Sequence, residues 1–283
     1  MDAEEPSRTA LATARARAYH QVADRPLILT DPVAGPLVGI TDEELAAYAE
    51  PAEDRPDSRP RRLFFAARAR FAEDRVAAAA ATGVRQVVVL GAGLDTFAYR
   101  NPHPGLHVFE VDHPATQAWK RRRLTEAGIE RPDTMTFVPV DFETDALAAE
   151  LAAAGFDRDE PAVFVWLGVV FYLSPDSARD TLAYVAGQAR PVDVIFDYLR
   201  PAEDDAERAR LRQRAERVAA LGEPWHSLFT PEDIAGQLHD LGFTEVEDHS
   251  ATELVAGYLG GSGEFDGEPP RALRASRILR ARR

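Results

Sequence analysis

Leu90-Gly91-Ala92-Gly93-Leu94-Asp95-Thr96 sets two glycines and a carboxylate directly behind the β-branched run Gln86-Val87-Val88-Val89-Leu90. Glycine at the carboxyl end of a buried strand leaves the backbone open to a ligand that a side chain would exclude. The dinucleotide fingerprint needs a third glycine where this chain has Thr96, and Asp95 puts a negative charge where a pyrophosphate would lie. A cationic ligand suits the turn better. The α-ammonium of S-adenosylmethionine meets that requirement, and on these residues it is a better match than NAD. Asp95 also reads, more plainly, as a helix cap.

Two further strand ends carry acids. In Val108-Phe109-Glu110-Val111-Asp112, carboxylates fall about 20 residues past Gly91, where nucleotide-binding α/β folds hydrogen-bond ribose hydroxyls. Alternation sets Glu110 and Asp112 on one side of the strand, and Asp112, nearer the open end, is the preferred ribose ligand. Val138-Pro139-Val140-Asp141-Phe142 ends in an acid followed by an aromatic, a pair able to accept from an adenine amino group and cover the ring.

These residues need a parallel sheet to bring them to one edge. Short apolar runs at 86–90, 106–111, 136–140, 162–167 and 192–198 read as strands buried on both faces. Between them lie Ala-, Leu-, Arg- and Glu-rich helical stretches at 115–127, 145–154 and 175–188, and this alternation predicts an α/β Rossmann-like sheet. Helix starts are marked at Ser174-Pro175, at Thr230-Pro231 and by the Thr41/Glu44 capping box. The expected organisation is one domain over 1–283. It comprises a helical N-terminal cap (1–83), a cofactor-binding core (84–200), an inserted helix (201–225) and the C-terminal part of the sheet (226–283), where strand-like 244–247 and 277–280 flank a glycine-rich loop at 257–270.

Composition narrows the function. A net charge of −14 opposes nucleic-acid binding, and the basic stretches 120–123 and 208–217 read as solvated helix faces. No run approaches the roughly 20 apolar residues of a membrane span, and the N-terminus lacks the order of a secretory signal, so a cytoplasmic location without membrane partners is expected. With no cysteine and no H-x-x-H spacing among seven histidines, neither a disulfide nor a metal site is expected. The oligomeric state is not encoded in these patterns.

The stretches RARFAEDRV, VVVLGAGLDTFAYR, VFEVDHP, VPVDF and FYLSPDSA resemble the leucine carboxyl methyltransferase family, including its bacterial branch of S-adenosylmethionine-dependent enzymes. DRPLILTDPVAGPLVG is similar to the same branch, and PWHSLFTPEDIAGQLHDLGFTEVE matches more loosely. The resemblance implies a class I methyltransferase fold with a seven-stranded, mostly parallel sheet containing one antiparallel strand, plus an N-terminal and inserted helical cap. It also implies that Arg68 grips the cofactor carboxylate with help from Arg17, Gly91 (with Gly93) lies against the methionine part, Asp112 holds the ribose, and Asp141 with Phe142 holds the adenine. One departure stands out: many members have a glutamate directly before the glycine of the fourth strand, where this chain has Leu167. Either another acid such as Asp95 receives the ammonium, or the site is reshaped.

The expected function is O-methylation of a small molecule, preferably at a carboxylate, which needs no base because it is ionised at neutral pH. A phenol or alcohol acceptor is the alternative and would be helped by a base. His226 is the candidate, with Trp225, Tyr172, Tyr198 and Arg17 as pocket residues and no catalytic residue assigned. The N-terminal helices, the 202–221 helix and the 257–270 loop are expected to form the acceptor pocket. A nicotinamide-dependent reductase, or a ligand-binding protein weakened by Leu167, are the readings from other classes.

Overall fold

The computed structural model describes residues 7–52, 55–141, 145–261, 264–265 and 268–283. Ser7 caps α1 (Arg8–Ala23), its hydroxyl accepting from the Ala10 N–H at 3.1 Å. The short helices α2 (Ala34–Val38) and α3 (Asp42–Ala46) follow, the latter closed by the expected Thr41/Glu44 capping box. The long helix α4 (Arg59–Ala81) comes next, with Ser58 at its N-cap and Pro60 in its first turn.

The core alternates as predicted. It runs β1 (Gln86–Leu90), α5 (Phe97–Arg100), β2 (His107–Asp112), α6 (Pro114–Glu126), β3 (Met135–Pro139), α7 (Leu147–Ala153), β4 (Ala162–Trp166), α8 (Pro175–Ala186) and β5 (Val192–Leu199). Then come the inserted helix α9 (Asp205–Ala219), α10 (Pro231–Asp240), β6 (Glu245–Ser250), α11 (Ala251–Tyr258) and β7 (Ser276–Arg282). The seven strands form one sheet in the order β3-β2-β1-β4-β5-β7-β6, with β7 antiparallel to both its neighbours. Every residue of β1, β4 and β5 is buried, and alternate residues serve opposite faces: Val87 and Val89 join the core under α4 and α11, while Val88 and Leu90 join the core under α8 and α10. Leu90 pairs with Val111, Val89 with Val165 and Trp166 with Phe196, so Gly91, Asp112, Leu167 and Asp197 reach the same carboxyl edge.

Some sequence expectations are corrected. Helix α11 occupies the start of what reads as a glycine-rich loop; its signal is the Ser250/Glu253 capping box. Lys120 is no solvated surface residue: it is fully buried, and its Nζ donates to Glu110 Oε2 at 2.6 Å. Among the described residues no helix is long and apolar enough to cross a membrane.

The cap is fastened by a buried ionic knot. Asp24, with no solvent exposure, accepts from Arg59 Nη1 at 2.7 Å and from Arg62 Nε and Nη2, both at 3.0 Å. His20 accepts the Ile28 N–H through Nε2 at 3.1 Å, so the proton on Nδ1 is left to Asp24 at 3.0 Å. Burial pushes the Asp24 carboxyl up, but the hydrogen bonds from His20 and Arg62 outweigh it and hold the group below its ordinary value. A carboxyl lowered in the folded state contributes stability that is full above its unfolded pKa and is lost as the pH falls through the folded one. Asp24→Asn is therefore expected to lower unfolding free energy at neutral pH by about 3 kcal/mol, because the buried Arg62 would keep only the half-exposed Glu50, and Arg59 only Glu264, as a counter-ion. Urea unfolding checks this, and the deficit should shrink as the pH is lowered into the acid range.

Candidate active site

A cavity of about 590 Å³ opens at the carboxyl edge of the sheet between β1, β4, β5 and the cap, within the range of small-molecule sites. Its floor is the turn after β1. Gly91 and Gly93 both have positive φ, +61° and +48°, and a Cβ on Gly91 would stand 2.5 Å from Val169 Cγ2. The Ala92 N–H donates to Val111 O at 3.0 Å, tying the turn to β2.

Two carboxylates hold this turn. Asp112 Oδ2 accepts the Gly93 N–H at 2.5 Å, and Oδ1 accepts the His113 N–H at 2.7 Å. Burial pushes the Asp112 carboxyl up, against the pull of those two N–H groups. From the cap side, Asp31 accepts from Thr96 Oγ1 at 2.7 Å and from Arg17 Nε at 3.3 Å, and Arg17 Nη2 in turn donates to Leu94 O at 2.6 Å. Glu110, by contrast, spends its carboxylate on Lys120 and does not line the cavity; burial pushes it up to about 7. Asp95 lines the cavity but also acts as the cap, its Oδ1 accepting the Phe97 N–H at 2.8 Å.

The opposite wall comes from β4, β5 and α4. Gly168 has φ +76°, and its N–H donates to Asp197 Oδ1 at 2.5 Å. Arg68 Nη1 donates to Asp197 Oδ2, and a Cβ on Gly168 would come within 3.3 Å of Arg68 Nη2. Both glycines are thus positions in the cavity wall where a Cβ would press on a neighbouring side chain, Val169 at one and the guanidinium of Arg68 at the other. Leu167 lines the cavity where the family pattern has an acid. Among the described residues, the acids that do line it are Asp95, Asp112 and Asp197.

The remaining predicted pocket residues divide. Arg17, Tyr172 and Trp225 line the cavity. The Tyr172 hydroxyl donates to Thr9 Oγ1 at 3.1 Å, and burial pushes it up. Trp225 lies edge-on to Phe171, 5.9 Å between centroids, under the Arg214 guanidinium at 4.9 Å. Tyr198 and His226 do not line it. Strand alternation aims Asp197 and Leu199 at the cavity and sends Tyr198 into the opposite core, where its hydroxyl donates to Asp248 Oδ2 at 2.7 Å. His226 is exposed; its N–H donates to Phe171 O at 2.8 Å. Asp141 lies just past the end of β3 and outside the cavity lining, and Phe142 lies outside the described residues. Of the expected acceptor walls, α1 and α9 contribute, whereas the described part of 257–270 does not.

Sequence reasoning passed over Asp31, Asp197 and Arg214. Asp197 carries the same signal used for Asp112, an acid at the end of an apolar strand. Arg214 was hidden by the reading of 208–217 as a solvated face. Among the described residues no cluster of three or more His, Asp or Glu side chains suits a metal ion.

Known proteins place this arrangement. The family profile described as leucine carboxyl methyltransferase matches residues 10–186. A Bacillus subtilis (strain 168) protein named "Putative S-adenosyl-L-methionine-dependent methyltransferase YktD" is 30% identical over 279 residues, covering 90% of this chain and 91% of its own. One from Mycolicibacterium gilvum (strain PYR-GCK), with the same description, is 35% identical over 251 residues, covering 85% of this chain and 79% of its own. The crystal structure of a "putative methyltransferase" from Thermobifida fusca YX superposes with TM-score 0.60 at 17% identity, over 100% of this chain and 96% of that one, a likeness of fold. By profile and by relatives, the chain belongs to the leucine carboxyl methyltransferase family.

Proposed function

We propose that the chain transfers a methyl group from S-adenosylmethionine to an oxygen of a small-molecule acceptor, by preference a carboxylate. That it is an S-adenosylmethionine-dependent methyltransferase follows from its family; the acceptor chemistry is argued from the cavity. When bound, the cofactor supplies a sulfonium methyl group already activated for displacement by an acceptor oxygen. The chain's task is then alignment in a dry site. The turn at Gly91 and Gly93 gives the methionine portion room against the backbone, and Arg68, steadied by Asp197, offers its guanidinium edge to the carboxylate. Asp112 keeps lone pairs beyond the two committed to N–H groups, enough for ribose hydroxyls. Asp95 is the acid left for the ammonium in place of the family's glutamate.

The observation that carries the carboxylate reading is the lack of a poised base among the described cavity residues. Asp95, Asp112 and Asp197 are each committed to a main-chain N–H, and Asp197 also to Arg68. His113 lines the cavity, but its Nδ1 accepts the Ala115 N–H at 3.2 Å, so in the neutral ring Nε2 bears the proton and donates. Tyr172 is pushed up by burial and stays protonated. An acceptor that arrives ionised, as carboxylates do above about pH 4, asks for no proton removal. The acceptor end of the cavity is instead lined by the guanidiniums of Arg61, Arg214 and Arg217.

Calorimetry with S-adenosylhomocysteine tests the cofactor half. Gly91→Ala, which forces a Cβ into Val169 at a left-handed φ, is expected to weaken binding by tenfold or more, the equivalent of about 1.4 kcal/mol. Asp112→Asn should cost about a hundredfold, two hydrogen bonds to a charged group being lost. Because the Asp112 carboxyl is raised, wild-type affinity should be full above that raised pKa and decline as the pH falls through it, while the Asp112→Asn variant shows no such limb. A pH-independent wild-type affinity would remove Asp112 from the site.

Incubating enzyme and S-adenosylmethionine with matched aromatic and aliphatic acids, phenols and alcohols tests the acceptor half. The expected products are methyl esters, recognised by mass and by their hydrolysis in mild alkali. Alkali-stable methyl ethers from phenols, with acids untouched, would overturn the carboxylate preference.

A further inference from the structure

A second cavity, of about 400 Å³, abuts the first and shares Arg61, Arg214 and Arg217 with it. Helix α9 supplies most of its wall, and Arg210, Arg271 and Arg274 bring the lining guanidiniums to six. Glu207 is the one carboxylate among the described lining residues, and it is already engaged: Arg200 Nη2 lies 3.1 Å from its Oε1, and its Oε2 accepts the Glu203 N–H at 2.9 Å. In a chain of net charge −14, this concentration of guanidiniums around one recess cannot be ascribed to a generally basic surface.

Two of these groups form no ion pair with a described residue. Arg214 forms no ion pair with a described carboxylate; its guanidinium lies 4.9 Å from the Trp225 ring centroid, at the junction of the two cavities. Arg210 Nη1 is buried with no hydrogen-bond partner among the described residues. Burial, then the charge of Arg61, pushes Arg214 down to about 9, the direction expected of a cation awaiting an anion. Guanidinium forks bind carboxylate or phosphate oxygens in pairs, and a buried one without a partner is costly to maintain.

Resting on the carboxylate reading above, we infer that the acceptor is at least dianionic: one carboxylate is methylated in the first cavity while a second anionic group, a carboxylate or phosphate, is held in the adjoining cavity by Arg210 and Arg214. The arginines of α4 and α9 then determine which acids enter, and the cap acts as a gauge of acceptor length and charge. A monoanion of the same size would offer nothing to Arg210 and Arg214 and forfeit the charge-assisted bonds.

The test uses the full chain saturated with S-adenosylhomocysteine, titrated with glutarate against valerate, adipate against hexanoate and suberate against octanoate. At least one dicarboxylate should bind about tenfold or more tightly than its partner, as expected for a hydrogen bond to a charged group. That ratio should fall towards one in Arg214→Gln and Arg210→Gln, and recover in part in Arg214→Lys; S-adenosylhomocysteine binding measured on the same samples reports that they are folded. Monocarboxylates bound as tightly as dicarboxylates at every length, or a ratio unaltered by both glutamine variants, would overturn the second anion site and leave the carboxylate reading standing. Cofactor binding without binding of any of these acids would overturn both.

Discussion

The turn after β1 depends on anions supplied from two directions. Both glycines sit at positive φ, a conformation that exposes peptide N–H groups and has little stability of its own. Asp112 reaches it from the neighbouring strand and takes the Gly93 N–H, while Asp31 reaches it from the cap through Thr96 and Arg17. Because Asp31 also lies 3.2 Å from Arg100 Nε at the end of α5, a single buried carboxylate joins the cap, the turn and the helix behind it. The position of the cap is therefore a condition of the site's geometry.

The same logic repeats on the other wall. Asp197 takes the Gly168 N–H on one oxygen and Arg68 on the other, so the β4 turn and helix α4 are fixed relative to each other by a carboxylate at the end of β5. Strand alternation explains why Asp197, and not its neighbour Tyr198, faces the ligand space. In both walls a glycine at positive φ and an acid from the adjacent strand form a unit, and the cavity lies between the two units.

These relationships account for what was readable in the sequence. Strands buried on both faces leave an unbroken β-branched signature, so β1, β2, β4 and β5 and their order of alternation with helices were visible without tertiary information, as was the left-handed turn they deliver to one edge. Asp112 was readable because strand-end acids project along a direction that strand geometry fixes. Asp31 was not, since it acts from an irregular segment whose path is set only by packing. Tyr198 and His226 were misplaced for a related reason: proximity to a strand end says nothing of which face a residue takes. Helix α11 was missed although its capping box is present, because the glycines at 257, 260 and 261 weigh against helix in any reading of composition.

Helix α9 shows most clearly how sequence and tertiary context diverge. Its arginines alternate with acids, the usual pattern of a solvated helix, and by pattern alone nothing separates Arg208, which pairs with Asp205 on the exposed side, from Arg214. What separates them is the cavity. The helix turns Arg210 and Arg214, both half-buried, towards a space that provides a tryptophan face but no unengaged carboxylate among the described residues. Hydration lost by those groups must be replaced by other oxygens, and the main chain of a helix has none to spare for them. An anionic ligand would be a replacement of the right charge and shape, which is why the inferred second anion site falls on the cap and not on the sheet edge.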